Sequence, residues 1–131
     1  MSSFTDYTEN LALTYLFTTG SATRPTAWYV GLFTSAPSDT GGGTEVSGSG
    51  YTRIVTGTIS GSGTATTFTN AAAIEFPLAT GGNWGTIGWS AIFAASTGGN
   101  MLAWAPLTVP KPINEGDIFR IPASNLSITL S

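Results

Sequence analysis

From Ala27 to the C-terminus the chain is a succession of short runs in which apolar and polar residues alternate, each closed by Gly, Pro or Asn. A period of two sends successive side chains to opposite faces of a strand, so this pattern excludes a helical fold for most of the chain. The runs predict strands at Trp28–Thr34, Tyr51–Ile59, Thr64–Phe68, Ala73–Phe76, Ile87–Ala94, Met101–Leu107, Asp117–Ile121 and Asn125–Leu130. About eight short strands in roughly a hundred residues imply an all-β fold, an antiparallel β-sandwich of jelly-roll type. In the last run Leu126, Ile128 and Leu130 alternate with Ser127 and Thr129, the pattern of a strand with one face in a core. In Trp28–Thr34 both faces are apolar, Trp28, Val30 and Leu32 on one and Tyr29 and Phe33 on the other, and both need cover.

The first 20 residues follow a different period. Phe4, Tyr7, Leu11 and Tyr15, with Leu16 beside them, fall at spacings of three and four and predict one amphipathic helix over about 4–19. Ser3 with Asp6, or Asp6 with Glu9, would cap it, and Gly20 would end it in a left-handed conformation. The helix is expected to cover apolar sheet surface or to grip a neighbouring subunit. Gly98-Gly99-Asn100 and Asn114-Glu115-Gly116-Asp117 predict tight turns. Pro110-Lys111-Pro112 cannot sit in a central strand, since proline donates nothing to a ladder, and is expected at an edge or in a rim connection. Ser35–Gly50 is expected as a long loop reaching a neighbouring chain.

With 131 residues and 41% hydrophobic positions, the chain matches one domain over 1–131, the helix followed by a sandwich at about 27–131. The sequence contains neither His nor Cys, which removes His-based acid/base catalysis, Ser-His-Asp and Cys-His nucleophiles, disulfides and zinc-thiolate sites. Only 8% of residues are charged, whereas 17 Gly, 14 Ser and 22 Thr fill two positions in five. Arg24, Arg53, Lys111 and Arg120 lie far apart in a chain of net charge −3, so no basic cluster exists to displace counterions from nucleic acid. No apolar run reaches the roughly 20 residues of a membrane-spanning helix, and the N-terminus lacks the pattern of a secretory signal. Synthesis in a cytoplasm is expected.

Few constellations suggest chemistry. Glu115 and Asp117 form a carboxylate pair, but on one turn rather than across a cleft, and read as a solvated turn. Asp39 and Glu45 flank Gly41-Gly42-Gly43, yet two carboxylates do not make a calcium loop, and the glycines lack the Lys-Ser/Thr ending of a phosphate-binding loop. Lys111, flanked by prolines, reads as an exposed edge charge. Neither an enzyme nor a cofactor is expected. Among the aromatics, Trp89 and Trp104 read as core or interface residues, while Trp84 in Gly81-Gly82-Asn83-Trp84-Gly85 reads as an exposed contact, with Tyr51 a further candidate for stacking on a glycan.

Tyr29-Val30-Gly31-Leu32-Phe33-Thr34-Ser35-Ala36-Pro37-Ser38-Asp39, Gly42-Gly43-Thr44-Glu45-Val46-Ser47-Gly48 and Gly50-Tyr51-Thr52-Arg53 form one string of Gly, Thr and aromatic positions. Ile74-Glu75-Phe76-Pro77, Trp84-Gly85-Thr86-Ile87 and Thr97-Gly98-Gly99-Asn100-Met101-Leu102 continue it. With the helix before it, this sequence resembles small tailed-bacteriophage virion proteins labelled tail fibre or minor tail proteins, whose all-β modules also serve as head decoration proteins. The resemblance implies a non-enzymatic structural protein of the virion that contacts other virion proteins. Of the two locations, a capsid decoration or cement subunit is the reading favoured here, because the chain has no coiled-coil heptads or repetitive shaft. A tail-fibre or tail-tip protein, with a role in host-surface glycan binding, is the alternative. A closed homo-oligomer, a trimer, is expected, with Phe4, Leu11, Leu16, Tyr29, Phe33, Asp39, Glu45 and Trp84 at the interfaces.

Overall fold

In a computed structural model, residues 3–129 are described. In chain order the elements are β1 (Ser3–Phe4), α1 (Asp6–Phe17), β2 (Tyr29–Ser35), β3 (Thr44–Glu45), β4 (Ile54–Val55), β5 (Ile59–Ser60), β6 (Thr67–Asn70), β7 (Ile74–Glu75), β8 (Gly85–Phe93), β9 (Met101–Ile113), β10 (Arg120–Ile121) and β11 (Ser127–Thr129). The fold is all-β and antiparallel with one helix, as the alternation implied, built from more and shorter strands than expected. Leu130 lies outside the described residues.

The main sheet runs β1-β9-β8-β2-β3, and β4 shares the outer edge of β2 with β3. Its centre is β8, paired with β2 from Tyr29↔Phe93 to Phe33↔Trp89 on one side and joined to β9 as a hairpin on the other. Two small sheets, β11-β6-β5 and β10-β7, complete the structure. The expected strand Tyr51–Ile59 breaks in two at Gly57, which adopts φ +68° directly after the Thr56 N–H has extended the pairing with β2 to the Trp28 carbonyl (2.9 Å). The β8–β9 hairpin is closed by residues 94–100, a longer loop than the tight turn expected, in which Gly98 and Gly99 take φ +57° and +73°.

Pro106, Pro110 and Pro112 all lie inside β9 rather than in a connection. Two features make this possible. Beyond Trp104 no described strand pairs with the outer edge of β9, and opposite Gly88 the register jumps, so that Leu107–Pro110 bulge between the pairs Trp89↔Pro106 and Ile87↔Lys111. The same irregularity separates Ile87, which packs in the main core, from Trp89, Ala91 and Phe93, which pack elsewhere, although strict alternation would place all four on one face.

Both faces of β2 are covered, as its two-sided pattern requires. Val30 and Leu32 join Val46, Ile74, Phe76, Ala79, Trp84, Ile87, Ile113, Phe119 and Ile121 in the main core. Phe33 joins Ala91, Phe93 and Met101 in a smaller cluster with Trp89 and Trp104 at its margin. The main core is aromatic at its centre, with Phe76 meeting Trp84 and Phe119 edge-on at 6.5 and 5.7 Å between ring centroids. Each such pair contributes about 0.5–1.5 kcal/mol beyond its buried area. Asn70, fully buried, fastens the segment before β11: its Nδ2 donates to the Ala72 and Pro122 carbonyls and its Oδ1 accepts the Leu126 N–H.

The helix departs from expectation. It spans Asp6–Phe17 and none of its residues is buried. Its cap is Thr5, not Ser3, whose backbone belongs to β1. Thr5 Oγ1 accepts the Thr8 N–H (3.4 Å) and donates to the Met101 carbonyl (2.6 Å), while Thr8 Oγ1 donates to Leu102 (2.7 Å). These polar bonds hold the first turn to β9, and the remaining turns leave the sheet. Leu13 and Phe17 add apolar groups beside the expected stripe, so the helix is apolar nearly all round and no single face is selected for burial. At the C-terminal end, Thr18 is extended and its hydroxyl caps the Thr14 carbonyl (2.7 Å) and receives the Gly20 N–H, so the expected left-handed Gly20 is not needed.

Candidate functional site

β3 and β4 pair with opposite ends of β2 and leave a gap on its edge at Gly31 and Leu32. An unpaired backbone N–H in that position would be costly, and the sequence fills the gap with a side chain. The Leu32 N–H donates to the Tyr51 hydroxyl (3.0 Å), and the hydroxyl donates to Glu45 Oε2 (2.7 Å). Arg53 completes the group with Nε on Oε2 and Nη2 on Oε1 of Glu45, both at 2.8 Å, a bidentate pairing. Its Nη1 donates to the carbonyls of Ala95 (2.9 Å) and Gly98 (2.8 Å), and its guanidinium carbon lies 3.5 Å from the centre of the Phe93 ring. The network ties β2, β3 and the β4 approach to the β8–β9 hairpin loop. Burial, and next the bond to Glu45, hold the Tyr51 phenol well above its ordinary range. Gly31 is required beside it, because a Cβ there would stand 2.9 Å from Glu45 Oε2 and 3.1 Å from Phe93.

Outside this network opens a cleft of about 600 Å³, bounded by Asp6 and Tyr7 at the start of α1, by Asp39–Gly43 and by Gly99–Met101, with Phe33 and Phe93 in its wall. The loop Ser35–Gly50 thus folds onto its own chain. It contains β3, a Ser38–Gly41 turn and buried Val46, and its Asp39 carbonyl accepts the Asp6 N–H. Gly43, at φ +74°, has Pro37 N and Ser35 O where a Cβ would be 2.9 Å away, so the turn depends on glycine there. Of the three carboxylates on the cleft, Asp6, Asp39 and Glu45, the last has both oxygens bound to Arg53. Among the described residues, no three His, Cys, Asp or Glu side chains converge to hold a metal ion. Glu115 and Asp117 form a turn, with Asp117 Oδ2 accepting the Asn114 N–H.

Of the residues expected at interfaces, Phe33, Asp39 and Glu45 meet at this cleft, with Phe33 buried. Tyr29 is half-buried in β2. Leu11 and Leu16 line a shallow groove between α1 and Ala22–Pro25. Phe4 lies apart, on a larger apolar groove of about 800 Å³ with Trp28, Ile59, Phe68 and Ile128. Trp84 is corrected: it is only 5% exposed, its Nε1 donates to the Ser49 carbonyl (2.9 Å) and its ring meets Tyr51 edge-on at 5.4 Å. A glycine-flanked indole here closes the core, and the half-buried Tyr51 ring stacks on Phe76 at 6.2 Å between centroids. Arg53 and Phe93 were not singled out. The signal for Arg53 was its scarcity, one of four cations, two residues from Tyr51 in a chain whose nearest carboxylate is Glu45.

A family model described as "Podophage GP4 fiber I protein gp80" matches residues 3–129. The chain belongs to this family. It is therefore a structural protein of a bacteriophage virion, and the match spans every element described above, from β1 to β11. No curated protein matches the chain. Within this fibre family the Tyr51–Glu45–Arg53 network reads as scaffold: the Tyr51 hydroxyl, both oxygens of Glu45 and four of the five N–H groups of Arg53 are bonded inside the chain.

Proposed function

We propose that the chain is a non-enzymatic subunit of the phage fibre, assembling with copies of itself and with other virion proteins through apolar side chains that its own fold leaves uncovered. The observation that carries this reading is the helix. Leu13, Tyr15, Leu16 and Phe17 are each more than half exposed, at the end of an element anchored only by its first turn. A monomer gains nothing from exposing such a surface, whereas an assembly covers it. The low charge of the chain suits dense packing of identical copies, where like-charge repulsion would accumulate. Arg53 is committed to Glu45 and Arg120 faces Glu75, which further weakens any nucleic-acid reading. The family match supports a fibre position over a shell-decoration position, and a trimer remains the assembly proposed here. Quantifying copies per virion against the major shell protein tests the location. A fibre subunit is present in a small multiple of the tail's symmetry, whereas stoichiometry approaching that of the shell protein would overturn the reading.

A further inference from the structure

We propose that the C-terminal half of α1 in one copy seats its Leu13, Leu16 and Phe17 side chains in the apolar groove of a second copy, against Phe4, Trp28, Ile59, Phe68 and Ile128. This rests on the reading of the chain as a homo-oligomer and names the surfaces that join its copies. The two surfaces are complementary in chemistry. Residues 11–17 carry no charge, and neither does any residue lining the groove, so a charged partner on either would lose hydration without gaining a counter-charge.

Leu13, Leu16 and Phe17 lie within about 100° of one another around a helix; Leu11, Ala12 and Tyr15, together with one edge of Leu16, border the shallow groove where Ala22–Pro25 run past. Leu13 and Phe17 lie off that groove, and Leu16 stands at its rim. Leu13, Leu16 and Phe17 are 58%, 66% and 77% exposed. From these fractions the three residues offer roughly 400 Å², and with an equal area from the groove about 800 Å² is buried before flanking polar residues are counted, against about 1,000 Å² for a specific interface.

The helix cannot serve its own groove. Phe4, on the groove wall, is two residues before α1, and a rigid helix of 12 residues carries Phe17 about 18 Å away. Bundling of the helices with one another is disfavoured, because a stretch this short supplies under two heptads and a coiled coil needs several. Two different patches on each copy make a head-to-tail contact, which closes into a ring when the rotation permits.

The absence of native cysteine makes the test clean. Leu16→Cys and Thr66→Cys, both at exposed positions, are purified separately, mixed and oxidised, and the products are weighed by mass spectrometry alongside sedimentation of the untreated protein. The expected result is a disulfide between the two variants at least tenfold more abundant in the mixture than either symmetric dimer. A symmetric Leu16→Cys dimer as the main product, or oligomers that sediment intact without the mixed disulfide, overturns the helix-in-groove contact while leaving the homo-oligomer standing. A monomer at all concentrations overturns both.

Discussion

Replacing Arg53 by methionine removes the guanidinium while keeping an apolar stem against Phe93. Four hydrogen bonds of 2.8–2.9 Å are lost, two of them to Glu45 and one each to Ala95 and Gly98. Removing one member of a buried pair costs about 3–5 kcal/mol, chiefly because the other charge stays behind uncompensated. The Arg53 side chain is 8% exposed but Glu45 is 24% exposed, so water reaches the orphaned carboxylate and Tyr51 still donates to it. The lower end of the range, about 3 kcal/mol, is therefore expected. For a domain of this length that corresponds to a fall of roughly 10–15 °C in Tm, measured by calorimetry or circular dichroism. Adding Glu45→Gln to Arg53→Met removes the stranded charge, and the double variant should be at least as stable as Arg53→Met alone. A Tm for Arg53→Met within a few degrees of the parent, or strict additivity in the double variant, would refute the claim that this network holds the sheet edge to the hairpin.

Because the folded state holds the Tyr51 phenol protonated above its unfolded value, its contribution is fully present below about pH 10 and is lost as pH rises further. Urea melts should show level stability up to that point and a decline beyond it that Tyr51→Phe makes shallower; an unchanged slope counts against the assignment. Gly31→Ala should cost about 1–3 kcal/mol by driving a methyl into Glu45 and Phe93, and a neutral effect in the same melts would show that the edge relaxes freely. Leu11→Asp with Leu16→Asp should lower Tm only slightly, since neither side chain is buried, yet abolish oligomers in sedimentation; a large loss of Tm with assembly intact would reverse the reading of the helix. Deleting Thr40–Gly43 should lower Tm as well, because Gly43 closes the turn that delivers Glu45 and Val46 to the sheet, and an unaltered Tm would make the segment a spacer.

Period-two alternation made β2, β8 and the start of β9 legible, because a strand covered on either face must repeat apolar groups at that spacing. Two kinds of feature escaped. One is local interruption: Gly57 ends β4's neighbourhood and Gly88 sits opposite the bulge in β9, and a glycine in a run does not announce which way the register will shift. The other is long-range closure. Trp84 is surrounded by glycines and reads as exposed, yet Ser49 and Tyr51, more than 30 residues earlier, supply its partners. Glu45 was visible as a charge in a glycine-rich loop, but its role follows from the gap that β3 and β4 leave on β2, which exists only once the sheet is assembled. The helix was placed to within two residues at each end. Which of its two expected contacts it makes, its own sheet or a neighbouring subunit, was not legible, because spacing reports which residues share a side and not whether any surface lies opposite.

The central claim is that this fold is a fibre subunit of the virion. A reconstruction of the intact particle by electron cryo-microscopy, at a resolution that separates strands, tests it most directly. The account predicts that the sheet β1-β9-β8-β2-β3, with α1 projecting from it, fits density in a tail-borne fibre, copy against copy. Density for the same fold lying on the shell lattice between capsid subunits, and absent from the tail, would contradict it.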